Sequence, residues 1–264
     1  MSASQSPMTT GETSGYDAVL LASFGGPEGP DEIMPFLERV TAGKGIPRDR
    51  LEAVHQHYLR MGGRSPINDQ NRTLLAALRA ELNRRGVTIP LVLGNRNSPP
   101  FIDEALRELD TAGCRRVLAF ATSQYSSYSS CRQYRENLAE ALSSTGLADR
   151  MQVAKVRPAF DRAGFVETTV ELLASAVSGR AREGRRVLFT THSIPSADAA
   201  ASGPGAEPGE VDLYSAQHRE VANAVIGGVA ALASEKPLPW RLVYQSRSGS
   251  PRVPWLEPDI NDAL

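Results

Sequence analysis

Residues 18–24 read AVLLASF, and residues 25–30 that follow read GGPEGP. The first stretch is a nearly unbroken apolar run. The second is a turn that no helix or strand could continue through. A continuous apolar run, as opposed to strict alternation, is the pattern of a strand covered on both faces in a parallel sheet. Five further runs of the same kind lie along the chain: 89–94 (IPLVLG), 116–122 (RVLAFAT), 151–156 (MQVAKV), 186–191 (RVLFTT) and 240–245 (WRLVYQ). Between them lie helical patterns. In 68–85 the leucines Leu74, Leu75, Leu78 and Leu82 recur at helical spacing, with Ser65-Pro66 ahead as a cap and Gly86 behind as a stop. Residues 101–112, 165–177, 51–61 and 214–225 also read as helices. Alternating strands and helices predict an α/β fold with parallel sheets flanked by helices, in two Rossmann-like lobes. The expected division is a disordered tail over 1–15, an N-terminal lobe over 16–147 and a second lobe over 148–264. Residues 195–210, rich in Ala, Ser, Gly and Pro, read as a mobile loop.

Composition narrows the function classes. The 264 residues carry 29 basic and 30 acidic side chains, a net charge of −1. That balance leaves no electrostatic footprint for nucleic acid and no polybasic patch for a membrane. No apolar run reaches the roughly 20 residues that span a bilayer. Two cysteines, Cys114 and Cys131, cannot build a disulfide framework and suit a reducing compartment. The expected location is the cytoplasm.

Ligands of open parallel sheets bind beyond the carboxyl ends of the strands. Those ends carry Phe24-Gly25-Gly26, Asn95-Arg96-Asn97, Thr122-Ser123-Gln124-Tyr125, His192-Ser193 and Ser246-Arg247-Ser248. The turn over 24–30 is a poor dinucleotide loop, because Pro27 and Pro30 remove backbone donors and the glycine spacing is wrong. A rigid ligand-lining turn fits it better, and a purely structural turn fits nearly as well. His192, directly after a run that reads as fully buried, has the chemistry of a base near neutral pH or of an iron ligand. His55 and His57 sit two apart on a helix and so face different ways. His218 falls in a helical stretch whose default is a solvated face. Residues 122–134 pack three tyrosines and six Ser/Thr hydroxyls. They read either as a polar loop capping the next helix through Ser129 or Ser130, or as an aromatic wall for a flat, carboxylate-bearing ligand.

The segments LLASFGGPEGPDEIMPFL (20–37), GGRSPIN (62–68), GNRN (94–97), TSQYSSYSSCRQYREN (122–137), THSIP (191–195) and QSRSGSPRVPWLEPDIND (245–262) together resemble the ferrochelatases, particularly the coproporphyrin-type enzymes of actinobacterial character. The resemblance runs from about residue 16 to residue 264. It implies a lyase of haem biosynthesis that inserts Fe2+ into a porphyrin, coproporphyrin III by type. It implies His192 as the metal-binding and proton-accepting residue, and Ser65, Tyr134 and Tyr58 as porphyrin contacts. It places Phe24 where some relatives carry an iron-ligating tyrosine, a role phenylalanine lacks the atoms for. It implies a second lobe shorter than the family's usual one. Cys131 matches one ligand of a [2Fe–2S] cluster held by relatives. Two cysteines cannot supply four thiolates, so the cluster is not expected here. Porphyrin and ferrous iron are the implied partners, with a haem-acceptor protein downstream. The rival readings are a cobalt or nickel tetrapyrrole chelatase and a non-catalytic porphyrin-binding remnant.

Overall fold

The strand β1 (Ala18–Ser23) is buried almost throughout because it has a parallel neighbour on each side. In this computed structural model, which describes residues 15–179, 184–203, 212–248 and 252–264, the chain falls into two compact units. The first comprises Met1–Thr122 with Tyr134–Val156, and the second Ser123–Gln133 with Arg157–Leu264. The tail over 1–14 and the part of the expected loop over 204–210 lie outside the described residues.

In the first unit β1, β2 (Leu91–Asn95), β3 (Arg116–Ala121) and β4 (Gln152–Lys155) form an all-parallel sheet in the order β2-β1-β3-β4. The chain leaves β1 to one side, through helices α1 (Pro30–Thr41), α2 (Arg48–Arg60) and α3 (Ile67–Arg84), to reach β2. It then returns past β1 through α4 (Ile102–Thr111) to β3. That reversal makes the carboxyl ends of β1 and β3 a topological switch point, where open sheets bind ligands. β4 hydrogen-bonds along β3 from Arg116↔Gln152 to Ala119↔Lys155. The run 151–156, read from the sequence as part of the second lobe, therefore belongs to the first sheet.

α4 shows why these segments fold as they do. Ile102, Ala105, Leu106 and Leu109 recur at helical spacing, and all four are buried in the core that also holds Leu20, Val117 and Ala119. The Glu104 carboxylate accepts the Phe101 amide at 2.6 Å and so closes the helix's first turn. α3 departs from its sequence pattern. Its leucines lie at the half-buried and exposed positions, and its two fully buried residues are Asn68 and Asn71. Ser65 is not its cap in the expected sense: the hydroxyl accepts the Ile67 amide at 3.4 Å, and the helix begins after Pro66. α1, which the turn-rich reading of 25–30 did not foresee, buries Ile33, Phe36 and Leu37 against Leu51 of α2.

The second unit holds β5 (Val187–His192) and β6 (Trp240–Gln245), parallel in register from Val187↔Trp240 to His192↔Gln245. Its apolar cluster joins Val170 of α6 (Ala163–Val177) to Val221, Val225 and Val229 of α8 (Leu213–Ala233). α7 (Ser196–Ala200) occupies the start of the segment expected to be a mobile loop. β6 buries Leu242, Val243 and Tyr244. β5 is only half-buried, with Thr190 and His192 exposed, so the expectation of a fully covered strand fails there. Among the described residues its one ladder is with β6, which leaves its other edge unpaired in this sheet. Further on, a parallel bridge joins Tyr244 of β6 to Asp259, and the Tyr244 amide donates to the Pro258 carbonyl at 2.9 Å. Among the described residues no helix is long and apolar enough to cross a membrane.

Leu20 is wholly buried at the centre of the first sheet. Leu20→Ala should lower unfolding free energy by about 2–5 kcal/mol, the usual cost of a core leucine deletion. Urea titration of the variant checks this, with an unchanged midpoint as the contrary result.

Candidate functional site

The first unit gathers four of the predicted side chains around the turn after β1. Gly25 has φ +77°. A Cβ there would lie 2.4 Å from Ser98 Oγ, and one on Gly26 would lie 2.7 Å from the Ser65 Cβ. Glycine at both places lets the turn close onto its neighbours. The turn's polar groups are already committed. The Gly26 amide donates to Ser98 Oγ at 3.0 Å, and the Gly26 carbonyl accepts from Asn68 Nδ2 at 3.0 Å. The Glu28 amide donates to the Glu32 carboxylate at 2.8 Å, and the Ser65 amide to the Pro27 carbonyl at 2.8 Å.

Phe24 stands on this frame, with its carbonyl accepting from both Asn97 nitrogens, at 3.1 and 3.0 Å. Its ring is 37% exposed and meets Phe36 edge to face, and Phe36 in turn meets Tyr58. Tyr58 is half-buried, which pushes its phenol above the ordinary range. Tyr134 is buried at the start of α5 (Gln133–Ser144), and burial raises its phenol despite opposition from Arg96 and Thr122.

Arg96, to which the sequence analysis gave no role beyond its place at a strand's end, joins these rings. Its guanidinium carbon lies 5.5 Å from the Phe24 ring centroid and 4.9 Å from that of Tyr134. Its Nε donates to Asn137 Oδ1 at 2.8 Å, which orients the planar group. Ser98 and Asn68 were likewise missed as positioning groups. Asn68 falls in the SPIN segment and Ser98 directly follows GNRN, but the pairing spans 30 positions.

His192 belongs to the second unit, at the carboxyl end of β5. Its Nδ1 hydrogen-bonds the Ser193 carbonyl. A carbonyl only accepts, so Nδ1 carries the hydrogen and Nε2 of the neutral ring keeps its lone pair. Both cysteines differ from a cluster set. Cys114 is buried in the first unit with its thiol toward the Asp17 carbonyl, and burial raises its pKa. Cys131 lies in the π-helical turn Tyr128–Arg132 of the second. Among the described residues no three His, Cys, Asp or Glu side chains converge on a metal-sized site. Cys114 and Cys131 thus lie in different units.

His55 pairs with Glu52 at 3.2 Å, while His57 points to solvent. The π-helical turn is capped by Ser127, whose hydroxyl accepts the Ser130 amide at 3.1 Å, in place of the expected Ser129 or Ser130. His218 is not on a solvated face. It stacks on Tyr125 at 3.6 Å between ring centroids and meets Tyr214 edge to face at 4.5 Å. Burial lowers its pKa and pushes the Tyr125 phenol up to about 12.

A family model described as ferrochelatase matches residues 16–264. A coproporphyrin III ferrochelatase of Leifsonia xyli is 54% identical over 263 residues, covering 94% of this chain and 67% of the relative. Those of Streptomyces coelicolor and Streptomyces griseus are 50% and 51% identical, covering 96% and 94% of this chain and 68% of each relative. The chain thus spans about two thirds of their length.

Asn68→Ala would leave the Gly26 carbonyl without its side-chain donor and should cost about 1–3 kcal/mol, the penalty for an unmet buried polar group. Chemical denaturation measures it. Glu28 is held below the ordinary glutamate value of 4.5, chiefly by its hydrogen bond from Arg72 and with help from Asn68. A depressed carboxylate stabilises the fold above its unfolded pKa and loses that contribution as pH falls through its folded pKa. Glu28→Gln should therefore flatten the stability loss below about pH 4.5 in thermal melts, and an identical acid limb would contradict the assignment.

Proposed function

The chain belongs to the ferrochelatase family, and on that premise we propose that it inserts ferrous iron into coproporphyrin III with His192 as the group that meets the metal and the pyrrole protons. The reaction releases two protons from the pyrrole nitrogens as Fe2+ takes their place. It therefore needs a base that is unprotonated near neutral pH and able to face the ring. The observation that carries the proposal is the placement of His192: exposed at a strand's carboxyl end, with Nδ1–H committed to Ser193, so that in the neutral ring the lone pair is at Nε2. Such an atom is both a general base and a borderline-metal ligand.

The first unit supports the porphyrin half of the proposal. Phe24 and Tyr58 offer aromatic edges, Tyr134 lies beneath Arg96, and Ser65 is locked to the turn by the Pro27 carbonyl. A flat apolar ring with carboxylates at its rim suits aromatic faces beside a fixed guanidinium. Ser65, Tyr134, Tyr58 and Phe24 are accordingly assigned to porphyrin contact. Phe24 has no donor atom, so its side chain cannot ligate iron. Transfer of the product to a haem-acceptor protein and a cytoplasmic location belong to the same proposal; the low cysteine content supports the latter. The cobalt or nickel chelatase reading gains nothing from the relatives, whose names specify iron.

His192→Ala should abolish ferrous and zinc insertion. It should leave coproporphyrin binding close to wild type, because an exposed imidazole adds little to folding. Insertion followed by absorbance, beside a fluorescence-quenching titration, separates the effects, and unchanged turnover would sink the role of His192.

A further inference from the structure

An exposed histidine is not oriented by packing, so something else must fix the direction of its imidazole. In this unit the backbone does so, and a second side chain fixes the backbone. The peptide group joining His192 to Ser193 is held at both ends. Its N–H, on Ser193, donates to the Gln245 carbonyl at 2.7 Å as the last rung of the β5–β6 ladder. Its C=O, on His192, accepts the phenol O–H of Tyr214 at 3.0 Å.

Tyr214 lies in the first turn of α8 and is buried. Its hydroxyl has one hydrogen, and the His192 carbonyl takes it. The 2.8 Å contact with Thr191 Oγ1 therefore runs the other way, with threonine donating. The phenol thus gives one hydrogen bond and receives one. Its ring is braced in turn. The edge-to-face contact from His218 sits against it, and His218 Nδ1–H donates to the Tyr214 carbonyl at 2.7 Å. Asp212 caps the same turn by accepting the Ser215 amide. Ser193 is anchored as well, with its buried hydroxyl donating to the Leu256 carbonyl at 2.9 Å.

We propose that Tyr214 is a positioning residue for the insertion reaction: by holding the His192 carbonyl it sets the peptide plane from which the imidazole departs, and hence where Nε2 points. The inference deepens the reading of His192 given above and rests on it. The geometry supplies the reason that rotation matters. The plane held by Tyr214 leads directly into Ser193, whose carbonyl receives His192 Nδ1–H. Turning that plane moves the partner that selects the tautomer. With the phenol bond gone, the plane is held only by the Ser193 N–H bond to Gln245, which opposes its rotation less than the two bonds together. The imidazole then samples orientations in which Nδ1, not Nε2, offers the lone pair.

The test is Tyr214→Phe, which removes one oxygen and keeps the ring that packs against His218. Three quantities are measured on the same protein: zinc or ferrous insertion into coproporphyrin III, thermal melting, and the imidazole 15N signals of His192. The expected result is a fall in kcat of about 10-fold or more, the usual effect of losing a group that orients a ligand. KM for porphyrin should stay at its wild-type value, the melting temperature should fall only slightly as one hydrogen bond is lost, and the His192 signals should change from one Nδ1–H tautomer to a mixture. Unchanged kcat with unchanged nitrogen signals would overturn the inference. So would a fall in kcat that merely follows a fall in melting temperature while the tautomer stays pure. His192→Ala is the companion variant. If it still inserts metal, the role given to His192 fails, whereas the nitrogen signals of Tyr214→Phe report on the positioning by themselves.

Discussion

A parallel strand that ends at a ligand site leaves backbone groups without a ladder partner, and every such group buried here must be met by a side chain. That constraint governs both units. After β1 the Gly26 N–H goes to Ser98 and its C=O to Asn68. After β5 the His192 C=O goes to Tyr214. In each case a residue distant in sequence reaches in to clamp the chain where it leaves the sheet. A net hydrogen bond is worth only about 1 kcal/mol, whereas an unmet buried group costs about 1–3 kcal/mol. The clamps therefore act by making other loop conformations expensive. Polar residues accordingly occupy positions that a simple amphipathic pattern would give to leucine, as Asn68 and Asn71 do on α3.

The same logic accounts for the aromatic grouping in the first unit. Phe24, Phe36 and Tyr58 form a chain of edge-to-face contacts, and Arg96 lies against both Phe24 and Tyr134. A guanidinium over aromatic faces keeps its charge while its hydrogen-bonding edge stays directed, here toward Asn137. Under the proposed function the rings give the porphyrin apolar surface, and the cation gives its carboxylates a fixed counter-charge. Neither element needs the loop to move, because the Gly25-Gly26 turn is already closed against Ser65 and Ser98.

Much of this was legible in the residues. The six apolar runs became six strands, and β6 matches its run from Trp240 to Gln245. The family resemblance rested on six segments, five of which fall at strand ends, where parallel sheets place their chemistry, while GGRSPIN lies between α2 and α3. What escaped the reading did so for physical reasons. Continuous hydrophobicity says that a strand can be covered on two faces, not that it is, and β5 lies half-exposed. Pairing decided that residues 151–156 join β3, and pairing is not written in a local pattern. Tyr214 and His218 sit on a helix whose periodicity is satisfied equally by a wet or a buried face. Their packing against Tyr125 and the end of β5 is a tertiary fact.

The chemistry of a single imidazole imposes the last constraint. With Nδ1–H held by Ser193, His192 has one lone pair, at Nε2, and that pair can hold a proton or a metal ion but not both. Under the function proposed for His192, proton removal and metal capture at this histidine alternate, each proton leaving Nε2 before a metal occupies it. Alternation demands that Nε2 return to the same position after every exchange. An exposed side chain has no packing to restore it, so the restoring force must come from the backbone that carries it. The peptide plane held between Gln245 and Tyr214 supplies that force.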